Sequence, residues 1–237
     1  MNILFLSDLH FGRESFSNEC KKRDIILESL NQTIVDLPQA MQPHYIVVTG
    51  DIAWTGADAE YQSAYIWFSK LLSKLGFDGD RITFCAGNHD VNRKIAVGIP
   101  FSKIKNADGF ILDGVDEIFR YESIDAFNVQ IHAYNDFCCR LGVIPYEYSS
   151  TIDLDSPYAD KMGMSKQWFS YTAGHKDVTF GPEKYRIIAF NSSMISSYEG
   201  MSDDENFIGL PQLQQMKGEN IVGSAQDRYT IALFHHA

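Results

Sequence analysis

Three short apolar runs, Ile3-Leu4-Phe5-Leu6, Tyr45-Ile46-Val47-Val48-Thr49 and Arg81-Ile82-Thr83-Phe84-Cys85, are separated by two stretches of helical periodicity, and this alternation narrows the fold more than any other feature. The runs lack the apolar–polar alternation of a half-exposed strand and read as strands covered on both faces. Between the first two, Ile26, Leu27, Leu30 and Ile34 recur at helical spacing from Cys20 to Val35, and Pro38 ends the pattern. Between the second and third, Tyr61, Tyr65, Phe68, Leu72 and Leu75 form the apolar stripe of a helix that Asp58 can cap and Gly76 closes. Strand, helix, strand, helix, strand calls for an α/β fold with a largely parallel sheet and right-handed crossovers.

Beyond Asp90 the rhythm is less regular. Residues 96–160 hold one expected helix, from Asp116 to about Arg140, among polar and Pro-containing loops, and read as a helical insertion within a single domain spanning 1–237. Trp168–Thr172 and Val178–Phe180 read as a hairpin around Gly174-His175-Lys176. A strand over Arg186–Phe190, a short helix over Leu210–Met216 and a last strand over Tyr229–Phe234 complete the expected elements.

A hydrophobic content of 45% with 22% charged residues excludes disordered and coiled-coil classes. A chain of 237 residues buries enough surface to dispense with disulfides or structural metal, so a bound metal would serve chemistry. Cys20, Cys85 and the adjacent Cys138 and Cys139 have no CxxC spacing, which favours reduced thiols and a cytoplasmic location. No apolar run approaches the ~18–20 residues of a membrane helix, and the opening apolar run meets Asp8 too soon for a signal peptide. A membrane partner is therefore not expected.

The chemistry lies where the apolar runs stop. They finish on Asp8 and His10, on Asp51, on Asn88 and His89, and on His235 and His236. Parallel α/β sheets gather ligands outside the carboxyl ends of their strands, so these distant positions can meet. Carboxylate, carboxamide and imidazole without thiolate suit Mn²⁺, Fe, Zn²⁺ or Co²⁺. The formal net charge of −11 repels anionic partners, so an anionic substrate needs the local positive centre that such cations provide.

Taken in order and each after a strand, Ser7-Asp8-Leu9-His10, Thr49-Gly50-Asp51, Gly87-Asn88-His89-Asp90 and Leu233-Phe234-His235-His236 resemble the calcineurin-like metallophosphoesterase superfamily. The resemblance implies a four-layer α/β/β/α sandwich with two mainly parallel or mixed sheets. It also implies two divalent cations about 3.5–4 Å apart that share one carboxylate. Manganese is the favoured metal, ahead of iron, zinc, cobalt and nickel. Asp8 and His10 would hold the first cation, Asp51 would bridge, and Asn88 with His235 would hold the second. Consecutive strand residues face opposite ways, so one of His235 and His236 can bind, and the superfamily's order favours His235. A hydroxide on the cations would attack phosphorus in line, and His89, diverging from Asn88, would protonate the leaving oxygen or steady the transition state. Arg13 and Arg93, in loops beyond the ligand motifs, could each fork a phosphate or simply be solvated. Asn191-Ser192-Ser193 is explained by turn chemistry.

Two departures stand out. The superfamily often carries an acidic residue three positions after the bridging Asp to orient the catalytic His; Trp54 stands there instead, which leaves either Asp90 or Asp58 as a substitute or a weaker acid role for His89. The closing Gly-His-x-His motif is not found up to Ala237, so the expectation is a chain that continues to supply it, with a possible further C-terminal domain. The expected activity is metal-dependent phosphoester hydrolysis. Phosphodiesters, including nucleotides or nucleic-acid ends, are favoured over the monoesters of a protein phosphatase. The other class to weigh is an interaction module with an incomplete metal site; against it, a carboxylate cluster without cations raises its own pKa values and destabilises the fold.

Overall fold

The computed structural model describes residues 1–13, 20–92, 94–95, 124–143, 149–151, 168–170, 174–193, 196 and 227–235. Its first sheet consists of β1 (Ile3–Leu6), β2 (Tyr45–Thr49) and β3 (Ile82–Cys85) in the order β1-β2-β3. Both pairings are parallel, with Leu6 opposite Val48 and Thr49 opposite Cys85. The crossovers are α1 (Cys20–Val35) and α2 (Asp58–Leu75). Side chains alternate across the sheet, so one face presents Leu6, Ile46, Val48, Ile82 and Phe84 to a helical layer. That layer is α1, α2 and α3 (Ile124–Arg140), the described part of the helix expected from Asp116. Phe68 of α2 is fully buried at its centre, edge-on to Trp67 and Phe84 at 4.9 and 5.1 Å and near Phe137 of α3 at 5.9 Å. Phe68→Ala would leave a cavity among rings that cannot collapse into it, and should lower stability by about 3–5 kcal/mol in denaturant titration. A loss under ~1 kcal/mol would contradict this packing.

The opposite face, Tyr45, Val47 and Cys85, packs on Ile187, Ala189 and Leu233 of a second sheet. This sheet runs β6 (Gly174–Phe180), β7 (Glu183–Ala189), β8 (Tyr229–Leu233), antiparallel between the first two and parallel between the last two. A helical layer, a parallel sheet and a mixed sheet therefore form an α/β sandwich; the expected fourth layer is not seen among the described residues. β4 (Ser149–Thr151) and β5 (Trp168–Ser170) make a separate antiparallel pair. Among the described residues no helix is long and apolar enough to cross a membrane, and Cys85, Cys138 and Cys139 are free thiols.

Several local expectations are corrected. Trp168–Ser170 pairs with β4, and Gly174-His175-Lys176 lies inside β6, with His175 opposite Ile188. The hairpin turns at Gly181-Pro182, where Gly181 has φ +59, the positive angle that a glycine opening a two-residue loop supplies. Ile26 is 65% exposed, whereas Leu27, Leu30 and Ile34 pack against the core. Asp58 does not cap α2; the Glu60 carboxylate does, accepting from the Ala57 and Thr55 backbone N–H groups at 3.2 and 2.8 Å. The expected helix at Leu210–Met216 lies outside the described residues.

Candidate metal centre

The loops after β1 and β2 run side by side. Asp8 N donates to Gly50 O at 3.2 Å, His10 N to Asp51 O at 2.8 Å, Phe11 N to Ile52 O at 2.7 Å, and Trp54 N returns to Phe11 O at 2.9 Å. Within this ladder Asp8, His10 and Asp51 have φ of +56, +46 and +53, and no other described non-glycine residue has a positive φ. The left-handed region costs an L-residue roughly 1–2 kcal/mol, so three such positions at one sheet edge mark backbone held for its side chains.

The loop after β3 is stapled to the β2 loop by Asp90, which is fully buried. Its Oδ1 accepts from Ile52 N at 3.1 Å, Ala53 N at 3.0 Å and the Tyr61 hydroxyl at 2.7 Å, and its Oδ2 from Gly87 N at 2.9 Å. Burial, aided by the charge of Asp51, pushes its carboxyl up to about 6 despite these donors. Asp90 is thus a structural clasp and does not orient His89, and neither does Asp58. His89 Nδ1 instead lies 2.6 Å from the carbonyl of Trp54.

Asp51, 3% exposed, is the centre of the arrangement. Its Oδ2 is 3.6 Å from His10 Nε2, while its Oδ1 is 3.2 Å from His235 Nε2 and accepts from His89 N at 3.0 Å. One carboxylate therefore faces an imidazole on each side. His235 donates from Nδ1 to Thr49 O at 2.6 Å, a backbone anchor that turns Nε2 toward Asp51. Its own carbonyl accepts from the Ser192 hydroxyl, and Asn191, Ser192 and Ser193 are buried around this turn, a structural role as expected. His10 Nδ1 lies 3.4 Å from Ala53 O, and its Nε2 is 3.8 Å from Asp8 Oδ1. Asp8 is largely exposed and accepts from the Ser7 hydroxyl at 2.5 Å. Asn88 is buried at the head of the β3 turn, Arg13 is exposed with its guanidinium 5.0 Å from the Trp54 ring centroid, and Arg93 and His236 lie outside the described residues.

Two donor groups, His10 with Asp51 and His89, and Asp8 with Asp51 and His235, each fall within 4.8 Å, and Asp51 belongs to both. Four of the residues expected to hold cations, Asp8, His10, Asp51 and His235, fall in these groups, and His89 joins one of them. Two close-fitting glycines frame the centre. A Cβ on Gly50 would lie 2.6 Å from His235 Nδ1, and one on Gly87 would lie 2.2 Å from Asp51 Oδ1. A carboxylate and imidazole set without thiolate, packed so closely that neither glycine admits a methyl group, fits divalent cations.

The protonation states are coupled. Burial alone would raise Asp51 and lower His235, but their contact outweighs it: the Asp51 pKa is lowered and the His235 pKa raised. His10 is lowered, with burial the leading cause over the pull of Asp51. When His235 is protonated, a cation entering beside Asp51 competes with the proton on its Nε2. With that pKa above its ordinary 6.5, affinity for Mn²⁺ should fall by about tenfold per pH unit as pH drops below it. Calorimetric titration at two pH values straddling neutrality checks this, and equal affinities would contradict the coupling.

Fold and donors together define an α/β sandwich with candidate metal-ligand groups at the edge of its parallel sheet. The chain belongs to the calcineurin-like phosphoesterase family, whose sequence profile matches residues 1–217. It is thus a member of a family of hydrolases that use divalent metal ions. No curated protein matches the chain.

Sequence reasoning missed the contribution of Trp54, because a backbone carbonyl can be offered by any residue. It also missed the packing role of Gly50 and Gly87, although both stand beside the ligand positions.

Proposed function

We propose that this protein is a phosphodiesterase of the cytoplasm that works with two divalent cations, manganese foremost, on nucleotides or nucleic-acid ends. The observation that carries the reading is the two-sided Asp51, one oxygen toward His10 and the other toward His235. Asp8, His10, Asp51, Asn88 and His235 would hold the cations, with Asp51 between them. When bound, such cations neutralise phosphoryl oxygens and acidify a water molecule.

The chain's own groups have distinct tasks. Asp51 stays ionised because its pKa is lowered, so it offers both oxygens at neutral pH. Thr49 O keeps the proton of His235 on Nδ1, leaving Nε2 for a ligand. His89, also held through Nδ1, presents Nε2 for proton delivery to the leaving oxygen. Arg13, exposed beyond His10, would fork a phosphate oxygen pair. The free thiols at Cys85, Cys138 and Cys139 agree with a reducing compartment.

The test is a comparison of bis-aryl and mono-aryl phosphates as substrates of the full chain in Mn²⁺. The expected result is a higher kcat/KM for the diester. A preference for the monoester would replace this reading with that of a phosphomonoesterase, and failure to turn over either would favour an interaction module.

A further inference from the structure

The indole of Trp54 is outside both donor groups, yet it lies flat against the imidazole that would meet the substrate. The Trp54 and His89 rings are stacked, with centroids 4.5 Å apart and planes inclined by 16°. The Trp54 carbonyl lies 2.6 Å from His89 Nδ1. A carbonyl can only accept, so Nδ1 carries the proton and donates. One residue thus fixes the imidazole in two ways: the carbonyl sets the rotation of the ring in its plane, and the indole face opposes tilting out of it. Trp54 is itself held. Its backbone N–H donates to Phe11 O at 2.9 Å, the backbone N–H of its neighbour Ala53 donates to the buried Asp90 carboxylate at 3.0 Å, and the His10 ring meets the indole edge-on at 5.1 Å. The Arg13 guanidinium lies over the same indole at 5.0 Å.

We propose that Trp54 is the positioning residue for His89, aiming its Nε2 through a carbonyl bond and a stacked indole where, among the described residues, the acceptor at Nδ1 is a carbonyl and not a carboxylate. The proposal rests on the reading of His89 as a group that acts on substrate. It differs from simple packing, because packing would be indifferent to whether the imidazole proton is held on Nδ1.

Trp54→Phe and Trp54→Ala, compared in the full chain, both keep the carbonyl and differ in the stacking face. In ¹⁵N-labelled protein, His89 should show a slowly exchanging Nδ1–H signal in the parent and in Trp54→Phe, lost in Trp54→Ala. With a bis-aryl phosphate, kcat should fall about 10- to 100-fold in Trp54→Ala with KM within about twofold, and recover to within about threefold in Trp54→Phe. Persistence of the signal in Trp54→Ala, its loss in both variants, or a fall in kcat that phenylalanine does not recover would overturn the proposal. A parent protein without turnover would count against the phosphodiesterase reading, and the proton signal would still decide the role of Trp54.

Discussion

Asp51→Asn should leave the fold standing and remove turnover. The carboxamide is nearly the same size as the carboxylate, and asparagine tolerates the left-handed φ of +53 that this position requires, so the backbone gains no strain. The charge disappears, and one of the two acceptor oxygens becomes an NH₂ donor facing an imidazole nitrogen. A group required to attract cations from both sides can then do so from one side at most. Loss of several kcal/mol of transition-state stabilisation corresponds to about 10³-fold or more in kcat/KM. Thermal melting of the metal-free protein should move by only a few degrees, about the shift of a ~1 kcal/mol change in a chain of this size. A variant with kcat/KM within about tenfold of the parent would refute the bridging role.

Gly87→Ala should damage the centre without touching a ligand. The backbone there has φ −103 and ψ 176, which alanine adopts freely. The added methyl carbon would lie 2.2 Å from Asp51 Oδ1 and 2.4 Å from Asp51 N, so Asp51 must move. Overpacking of this kind costs about 1–3 kcal/mol, and displacing a ligand should lower Mn²⁺ affinity about 10- to 100-fold. Gly76→Ala is the matched control. Its φ of +67 is strained for alanine, but nothing lies within 4 Å of the new carbon. It should cost about 1 kcal/mol and leave Mn²⁺ affinity unchanged. Equal metal affinity in all three proteins, by calorimetry, would show that Gly87 does not frame the donors.

Much of the architecture could be read from the residues because burial on both faces writes itself into composition. β1 and β2 fall on the expected residues, and β3 begins at Ile82, one residue later than expected. The sheet then brings the strand ends together, and with them Asp8, His10 and Asp51. The rest was hidden for identifiable reasons. Gly174 drew the hairpin turn to itself because glycine signals a turn, but Gly181-Pro182 closes a loop whose flanking residues Phe180 and Glu183 pair. Asp58 has the usual chemistry of an N-cap, but Glu60 reaches back to the exposed N–H groups and fills that role from two residues inside the helix. The partner of His89 was not visible, since the acceptor is main chain and the stacking residue, Trp54, is silent about its orientation until the loops are folded. The convergence of the donors likewise depends on the φ values of three residues, which no spacing records.

Acidic and imidazole groups crowd around the buried carboxylate of Asp51, an arrangement that bound cations would neutralise. A crystal of the full chain grown with Mn²⁺ and measured at the manganese absorption edge tests this most directly. Two anomalous peaks, one on either side of the Asp51 carboxylate, are predicted. A map with no peak beside Asp51, and with the carboxylates of Asp8 and Asp51 turned away from each other, would contradict it.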